Sequence, residues 1–386
     1  MTELGSKGDG LARVSELYQN RHRRAKELRS QGKKIIGYFC SLTPVEFLTA
    51  LGLVPYRITG SALEPITRAD AYVETIMCPY LRSCFDKGLK GDYDFLDGFV
   101  APHACDHVVK IYDIWRYYLK TRYTHFVNVP HMSDASSRQF FREELAVFQR
   151  SLEKLVGNSL SPHLLTEAIR LHNENRALAR ELYRLRKPDP PLLSGTEVTK
   201  TTVAAVTIPV EESNELLRGV IQEVKARHQG PQKNARLLLY GAEVDDIAFI
   251  QMVEEAGSNI VMDDVCFGSR NYWHDVEITN DPLDGLITYY LEGLSCPRCY
   301  KPRLGTHQED LENRLGYLRD HAREFDVAGA IVYVIRFCDT FEFDAPDVKD
   351  FLQGAGVPVL HIEEDYAMTS PARLKTRVQA FLEMIG

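Results

Sequence analysis

No stretch of this 386-residue chain approaches the roughly 18 consecutive apolar residues that span a bilayer as a helix, and no low-complexity segment interrupts it. The opening residues, Met1-Thr-Glu-Leu-Gly-Ser-Lys-Gly-Asp-Gly10, lack the basic stretch and apolar core of a signal peptide, so a cytoplasmic protein is expected. Positive charge is also in short supply. Forty-six Lys and Arg face 54 Asp and Glu, a net charge of -8, which denies the chain the basic face that phosphate backbones or anionic lipids require. Neither nucleic acid nor membrane is an expected partner; a small molecule or another protein is. Phosphate-binding motifs are missing too: there is no G-x-x-x-x-G-K-[ST] and no G-x-G-x-x-G, so the chain itself is not expected to bind ATP or NAD.

What is present is ordinary globular material, 44% apolar and 26% charged, in a chain too long for one hydrophobic core. Two or three domains follow. Eight cysteines in a reducing compartment are not expected to pair, and serve either as buried apolar residues or as ligands.

A polar helix is expected from about Leu11 to Arg29, then the strand Lys34 to Phe39, a helix opened by Pro44 and closed at Gly52, and the strand Val54 to Ile58. Strand, helix and strand with tight connections mark a parallel α/β sheet. The pattern continues with a helix near Tyr80 to Gly88, the strand Leu96 to Ala101, a helix from Asp106 through Tyr118 and the strand His125 to Val129. From about Ser136 to Ala226 the periodicity is helical, broken at Lys187-Pro-Asp-Pro-Pro191. A second α/β unit then opens at Arg236, with strands at 259–262, 330–335 and 357–362, a helix around Asp347 to Gln353 and a closing helix from Pro371. The reading is α/β: two doubly wound parallel-sheet domains of similar plan, at 1–135 and 231–386, with a helical segment at 136–230 between them.

Three cysteines stand where a predicted hydrophobic strand runs out into a loop: Cys105 in Ala104-Cys105-Asp106, Cys338 in Phe337-Cys338-Asp339, and Cys78 before Pro79. Ligands bind outside the carboxyl ends of the strands in open parallel sheets, so thiols from distant segments converge there on one centre. The repeated Cys-Asp suggests duplicated architecture, each Asp capping the helix that follows. Dispersed thiols are nonetheless a weak signal, because ferredoxin-type clusters usually draw three ligands from one compact run. Cys40, Cys84 and Cys266 read most simply as buried apolar residues. Cys296-Pro-Arg-Cys299 is a lone CxxC, which leaves structural, ligand and redox roles equally open.

The segments Gly37 to Glu46, Cys78 to Cys84, Phe95 to Asp106, Tyr112 to Trp115, Asp263 to Arg270 and Arg336 to Asp339 resemble, in order along most of the chain, the benzoyl-CoA reductase and 2-hydroxyacyl-CoA dehydratase family. The resemblance implies a pair of homologous cluster-binding subunits, each holding a [4Fe-4S] cluster through three cysteines, here Cys78, Cys105 and Cys338. It further implies an acyl-CoA substrate whose thioester carbonyl reaches the free fourth iron. A separate ATP-hydrolysing iron-sulfur activator is implied as well, with ferredoxin as electron donor to the complex. An open iron site acts as Lewis acid and electron donor to the same carbonyl, which a cluster with four thiolates does not.

Around that site three further residues are candidates for catalysis. His103, two residues before Cys105, is either a proton donor or a loop histidine bonded to backbone. Glu46 is either a proton donor or base, or a first-turn carboxylate favouring the helix dipole; Ser41 is either catalytic or a cap. The expectation is a core subunit of an ATP- and ferredoxin-dependent benzoyl-CoA reductase making a cyclic dienoyl-CoA. The alternatives are a subunit of a 2-hydroxyacyl-CoA dehydratase, a non-catalytic electron-relay subunit of either complex, or a structural zinc protein built on Cys296 and Cys299.

Overall fold

The computed structural model of the chain describes residues 9–228, 230–303, 305–367 and 371–386; most of the opening stretch, residues 1–8, lies outside them. Among the described residues no helix is long and apolar enough to cross a membrane.

Two four-stranded, all-parallel sheets organise the molecule. The first holds β1 (Ile35–Tyr38), β2 (Val54–Arg57), β3 (Gly98–Pro102) and β4 (Tyr123–Val127) in the order β2-β1-β3-β4. The second holds β5 (Ala235–Gly241), β6 (Ser258–Asp264), β7 (Gly329–Ile335) and β8 (Val359–Glu364) in the order β6-β5-β7-β8. The plan is the same twice: the first and third strands of each unit pair centrally and the second and fourth lie at the edges. Strands such as β7, Gly-Ala-Ile-Val-Tyr-Val-Ile, are buried along their whole length, as parallel strands covered on both faces must be.

The first unit carries α1 (Gly10–Gln19), α2 (Arg23–Ser30), α3 (Val45–Ala50), α4 (Pro79–Leu89) and α5 (Asp106–Tyr118). Next come α6 (Ala135–Val156), α7 (Pro162–Arg184), α8 (Gly195–Ala205) and α9 (Val210–Lys225). The second unit carries α10 (Ala248–Glu255), α11 (Pro282–Thr288), α12 (His307–Glu324), α13 (Asp339–Gly354) and α14 (Pro371–Ile385). One apolar core extends from the first sheet to one face of the second, and another fills the opposite face of the second sheet beneath α8, α9, α12 and α13. Val14 of α1 belongs to the second of these cores, and the Leu11 amide donates to Glu223 of α9 at 3.0 Å.

Three local differences from the sequence reading have physical causes. The single helix expected from 11 to 29 is two, interrupted where Arg21 stacks on Tyr18 at 4.4 Å and donates to the Asp245 carbonyl at 2.8 Å. The helix expected to start after Pro346 begins at Asp339 instead, because the buried face of Phe341, Ala345, Val348 and Leu352 outweighs the bond that proline forfeits. And α8, unnamed by the periodicity, is rich in threonines with low helix propensity. It is held by burial and by a capping box in which Ser194 and Glu197 satisfy each other's backbone amides, while Thr201 turns its hydroxyl onto the Glu197 carbonyl at 2.7 Å. Ser194→Ala is expected to lower the unfolding free energy by about 1 kcal/mol, read as a shifted urea midpoint at unchanged slope.

Candidate cofactor site

Cys78, Cys105 and Cys338 occupy equivalent local positions: each is the N-cap residue of a helix, α4, α5 and α13 respectively. The Asp residues expected to cap α5 and α13 stand one place further on, as first helical residues. The thiol side chain takes the cap position, and Asp106 and Asp339 place their charge in the first turn, where the helix dipole favours it. Pro79 opens α4 because its missing N–H costs nothing there. Phe337, just before Cys338, is held in the left-handed region at φ 65°, and its amide donates to Glu342 at 2.8 Å. A non-glycine residue in that region costs on the order of 1–3 kcal/mol, strain of the kind that accompanies a side chain being aimed.

The three thiols lie near enough to bear on one another electrostatically. Burial pushes Cys78 up to about 12 and Cys105 up to about 11, with the neighbouring Cys105 adding to the rise at Cys78. Cys338 is pushed well up by burial, then by Cys78 and Cys105. Opposing this, the first-turn amides of Leu81 and Tyr80 lower Cys78, those of Val108 and His107 lower Cys105, and that of Phe341 lowers Cys338. Three buried sulfurs at helix N-termini are soft donors, the ligand type that iron–sulfur clusters take. Among the described residues no three His, Cys, Asp or Glu side chains are grouped to hold a single metal ion. A four-iron cube takes its thiolates from further apart than one ion does.

Beside the thiols lies Glu243, just past the end of β5, which the sequence reading did not single out. Burial pushes its carboxyl up, against the pull of Arg57. Arg57, 1% exposed, pairs with Glu243 at 3.1 Å, donates to the Cys266 carbonyl at 2.8 Å and stacks on Phe267 at 4.1 Å. Glu243 bears on Cys78, Cys105, Cys40 and Cys266 alike, which makes it the carboxylate common to these thiols. Its only sequence signal is its place, the exit of the first strand of the second unit.

The remaining candidates divide. Ser41 donates to the Cys266 carbonyl at 3.3 Å and lines a cavity of about 80 Å³ shared with Tyr38, Arg57, Tyr272 and Tyr290. His103 bonds Asn128 through Nδ1 at 2.9 Å and stands edge-on to His131, with ring centres 5.5 Å apart. Glu46 is fully buried with both oxygens engaged, Oε1 by Arg176 at 2.6 Å and Oε2 by the Tyr290 hydroxyl at 2.7 Å. Cys84 is buried in the core; Cys266 receives the Arg270 guanidinium on its sulfur at 3.1 Å.

Against known proteins, the family described as 2-hydroxyglutaryl-CoA dehydratase, D-component, matches residues 40–385. The (R)-phenyllactyl-CoA dehydratase beta subunit of Clostridium sporogenes is 26% identical over 361 residues, 93% of this chain and 94% of that protein. A benzoyl-CoA reductase subunit of Thauera aromatica is 28% identical over 386 residues, 97% of each. The putative dehydratase subunit YjiM of Escherichia coli K12 is 27% identical over 371 residues, 93% of each.

Proposed function

The chain belongs to the 2-hydroxyglutaryl-CoA dehydratase D-component family, and from that premise we propose that it is a [4Fe-4S] core subunit of a complex that delivers single electrons to an acyl-CoA thioester. The observation that supports this reading is that Cys78, Cys105 and Cys338 each stand at a helix N-terminus and that Cys338, from the second unit, bears electrostatically on the other two. A cluster bound there supplies a low-potential electron and, at an iron without a protein ligand, a Lewis acid for the thioester carbonyl.

The chain's own residues do the rest. The three cysteines would hold the group, and the first-turn amides of Leu81, Val108 and Phe341, which favour the thiolates, would offset its negative charge. Arg57 holds Glu243 from the first sheet, and the carboxyl bears electrostatically on Cys78 and Cys105. Glu243, pushed up by burial, keeps its proton to higher pH than an exposed glutamate and is the proton-holding group we assign beside the site. His103 stands two residues from a ligand, tied to Asn128, and Ser41 lines the neighbouring cavity. Glu46 acts through Arg176 and Tyr290, as a positioning residue rather than a proton carrier.

For the reaction, the reading is an ATP- and ferredoxin-dependent benzoyl-CoA reductase in an anaerobic cytoplasm, partnered by a homologous subunit and an ATP-hydrolysing activator. Its support is 28% identity to a reductase subunit along 97% of both chains. The family description and the beta-subunit relatives favour a second reading, dehydration of a 2-hydroxyacyl-CoA. The reconstituted complex, assayed anaerobically with reductant and ATP, is expected to convert benzoyl-CoA to a cyclic dienoyl-CoA. Turnover of a 2-hydroxyacyl-CoA alone would replace the first reading with the second, and an iron-free chain would reject both.

A further inference from the structure

The Cys296-Pro-Arg-Cys299 turn is the thiol-bearing motif that the proposed function leaves unused. It follows the widened last turn of α11 at Gly293, and the Cys299 amide donates to the Cys296 carbonyl at 2.8 Å, closing a β-turn. The ends of such a turn lie within about 7 Å, and a disulfide spans about 4.4–6.8 Å between Cα atoms, so the backbone already stands at bonding distance.

The turn is also fixed in place. Arg298 donates to the Pro130 carbonyl at 2.6 Å and to that of Val129; the Tyr300 amide donates to the His131 carbonyl at 2.9 Å; and His131 Nδ1 donates back to the Arg298 carbonyl at 3.2 Å. Both cysteines are half-buried rather than sealed in a core. The two thiols divide their acidity: the neighbouring Cys299 and burial raise Cys296 against the pull of Arg270, while Cys296 and Arg298 lower Cys299. Lys301 adds a second cation that senses the Cys299 sulfur. An inequivalent pair, with Arg298 and Lys301 bearing on Cys299 and Arg270 on Cys296, is the arrangement of a nucleophile and a resolving partner. Among the described residues no third His, Cys, Asp or Glu completes a metal site here.

We propose that Cys296 and Cys299 form a reversible disulfide, with Cys299 as the attacking sulfur and Cys296 as the resolving one, driven by a low-molecular-weight disulfide. In the first step Cys299 thiolate bonds to one sulfur of the small disulfide, whose S–S bond breaks and whose other half leaves as thiolate and takes up a proton. In the second, Cys296 gives up its proton and attacks the Cys299 sulfur, releasing the other half as thiol. The protein pair is oxidised by two electrons and the small disulfide is reduced to two thiols. The inference is independent of the cluster assignment.

The test uses the full chain, purified anaerobically and equilibrated with graded ratios of glutathione disulfide to glutathione, then acid-quenched, alkylated and mapped by mass spectrometry. The expected result is the joint loss of alkylation at Cys296 and Cys299, with the two peptides joined and the product lighter by two hydrogens. Cys296→Ser is expected to accumulate a glutathione adduct on Cys299, and Cys299→Ser to react at least about tenfold more slowly through Cys296. The wild-type titration needs no substitution and decides the matter even if a variant misfolds. Alkylation of both thiols at every ratio, a bond from either to Cys40, or protection that a chelator reverses without loss of hydrogen would each overturn the proposal.

Discussion

Cys338→Ala is expected to reduce the iron content of the anaerobically prepared chain from about four atoms to fewer than one, with loss of its visible charge-transfer absorption. The effect is large because Cys338 is the one thiol of the three that the second sheet contributes; Cys78 and Cys105 cap helices of the first unit. Only two thiolates, both from the first unit, would then remain to hold the group. Alanine is chosen because a serine oxygen is itself a ligand. The matched control is Cys84→Ala, a cysteine six residues beyond Cys78 but fully buried in the core beside Tyr80. That variant is expected to keep its four irons and lose only packing, on the order of 1 kcal/mol. Full iron retention in Cys338→Ala, or equal loss in both variants, would remove Cys338 from the ligand set.

The second large effect concerns stability. Arg176→Met strands Glu46, whose carboxylate is fully buried and held by Arg176 at 2.6 Å. Breaking one side of a buried pair costs about 3–5 kcal/mol, because the charge left behind has no compensation. Urea unfolding at neutral pH should register a loss of that order, and the double variant Glu46→Leu/Arg176→Met should recover much of it. In the native chain burial pushes Glu46 up, but Arg176, His172 and the hydrogen bonds from Arg176 and Tyr290 outweigh it and hold the carboxyl below its usual range. A depressed carboxyl contributes stability above its unfolded value, about 4.3, and loses it as pH falls through the lower folded one. Without Arg176 burial dominates and the sign reverses. The deficit of the single variant is therefore widest at neutral pH and narrows as pH falls toward about 4. A deficit that does not change with pH would show that Arg176 contributes packing rather than charge.

Why some of this was legible in the sequence and some was not follows from how far each signal reaches. Runs such as Ala330 to Ile335 announce buried parallel strands because both faces are covered, and a cysteine at the end of such a run is marked by position alone. The identical order of the two sheets is a matter of pairing between distant strands and leaves no local trace. Glu243 was illegible for the same reason. One carboxylate after Gly241-Ala242 has no motif, and its meaning comes from Arg57, 186 residues away. Glu46 illustrates the converse. Its place in the first turn of α3 is visible in the sequence, while Arg176, 130 residues on, and Tyr290 are what determine its chemistry. The threonines of α8 were misleading because propensity is local, whereas the burial that overrides it is supplied by α1, α9 and β6.

The twofold plan of the sheets has a mechanical corollary. With two sulfurs riding on one half and the third on the other, the set is whole only while the halves keep their present separation, so any guest gripped by all three is a rivet across the seam. A group held by all three would therefore tie the two sheets together, and an iron-loaded chain is expected to unfold at a higher urea concentration than a stripped one.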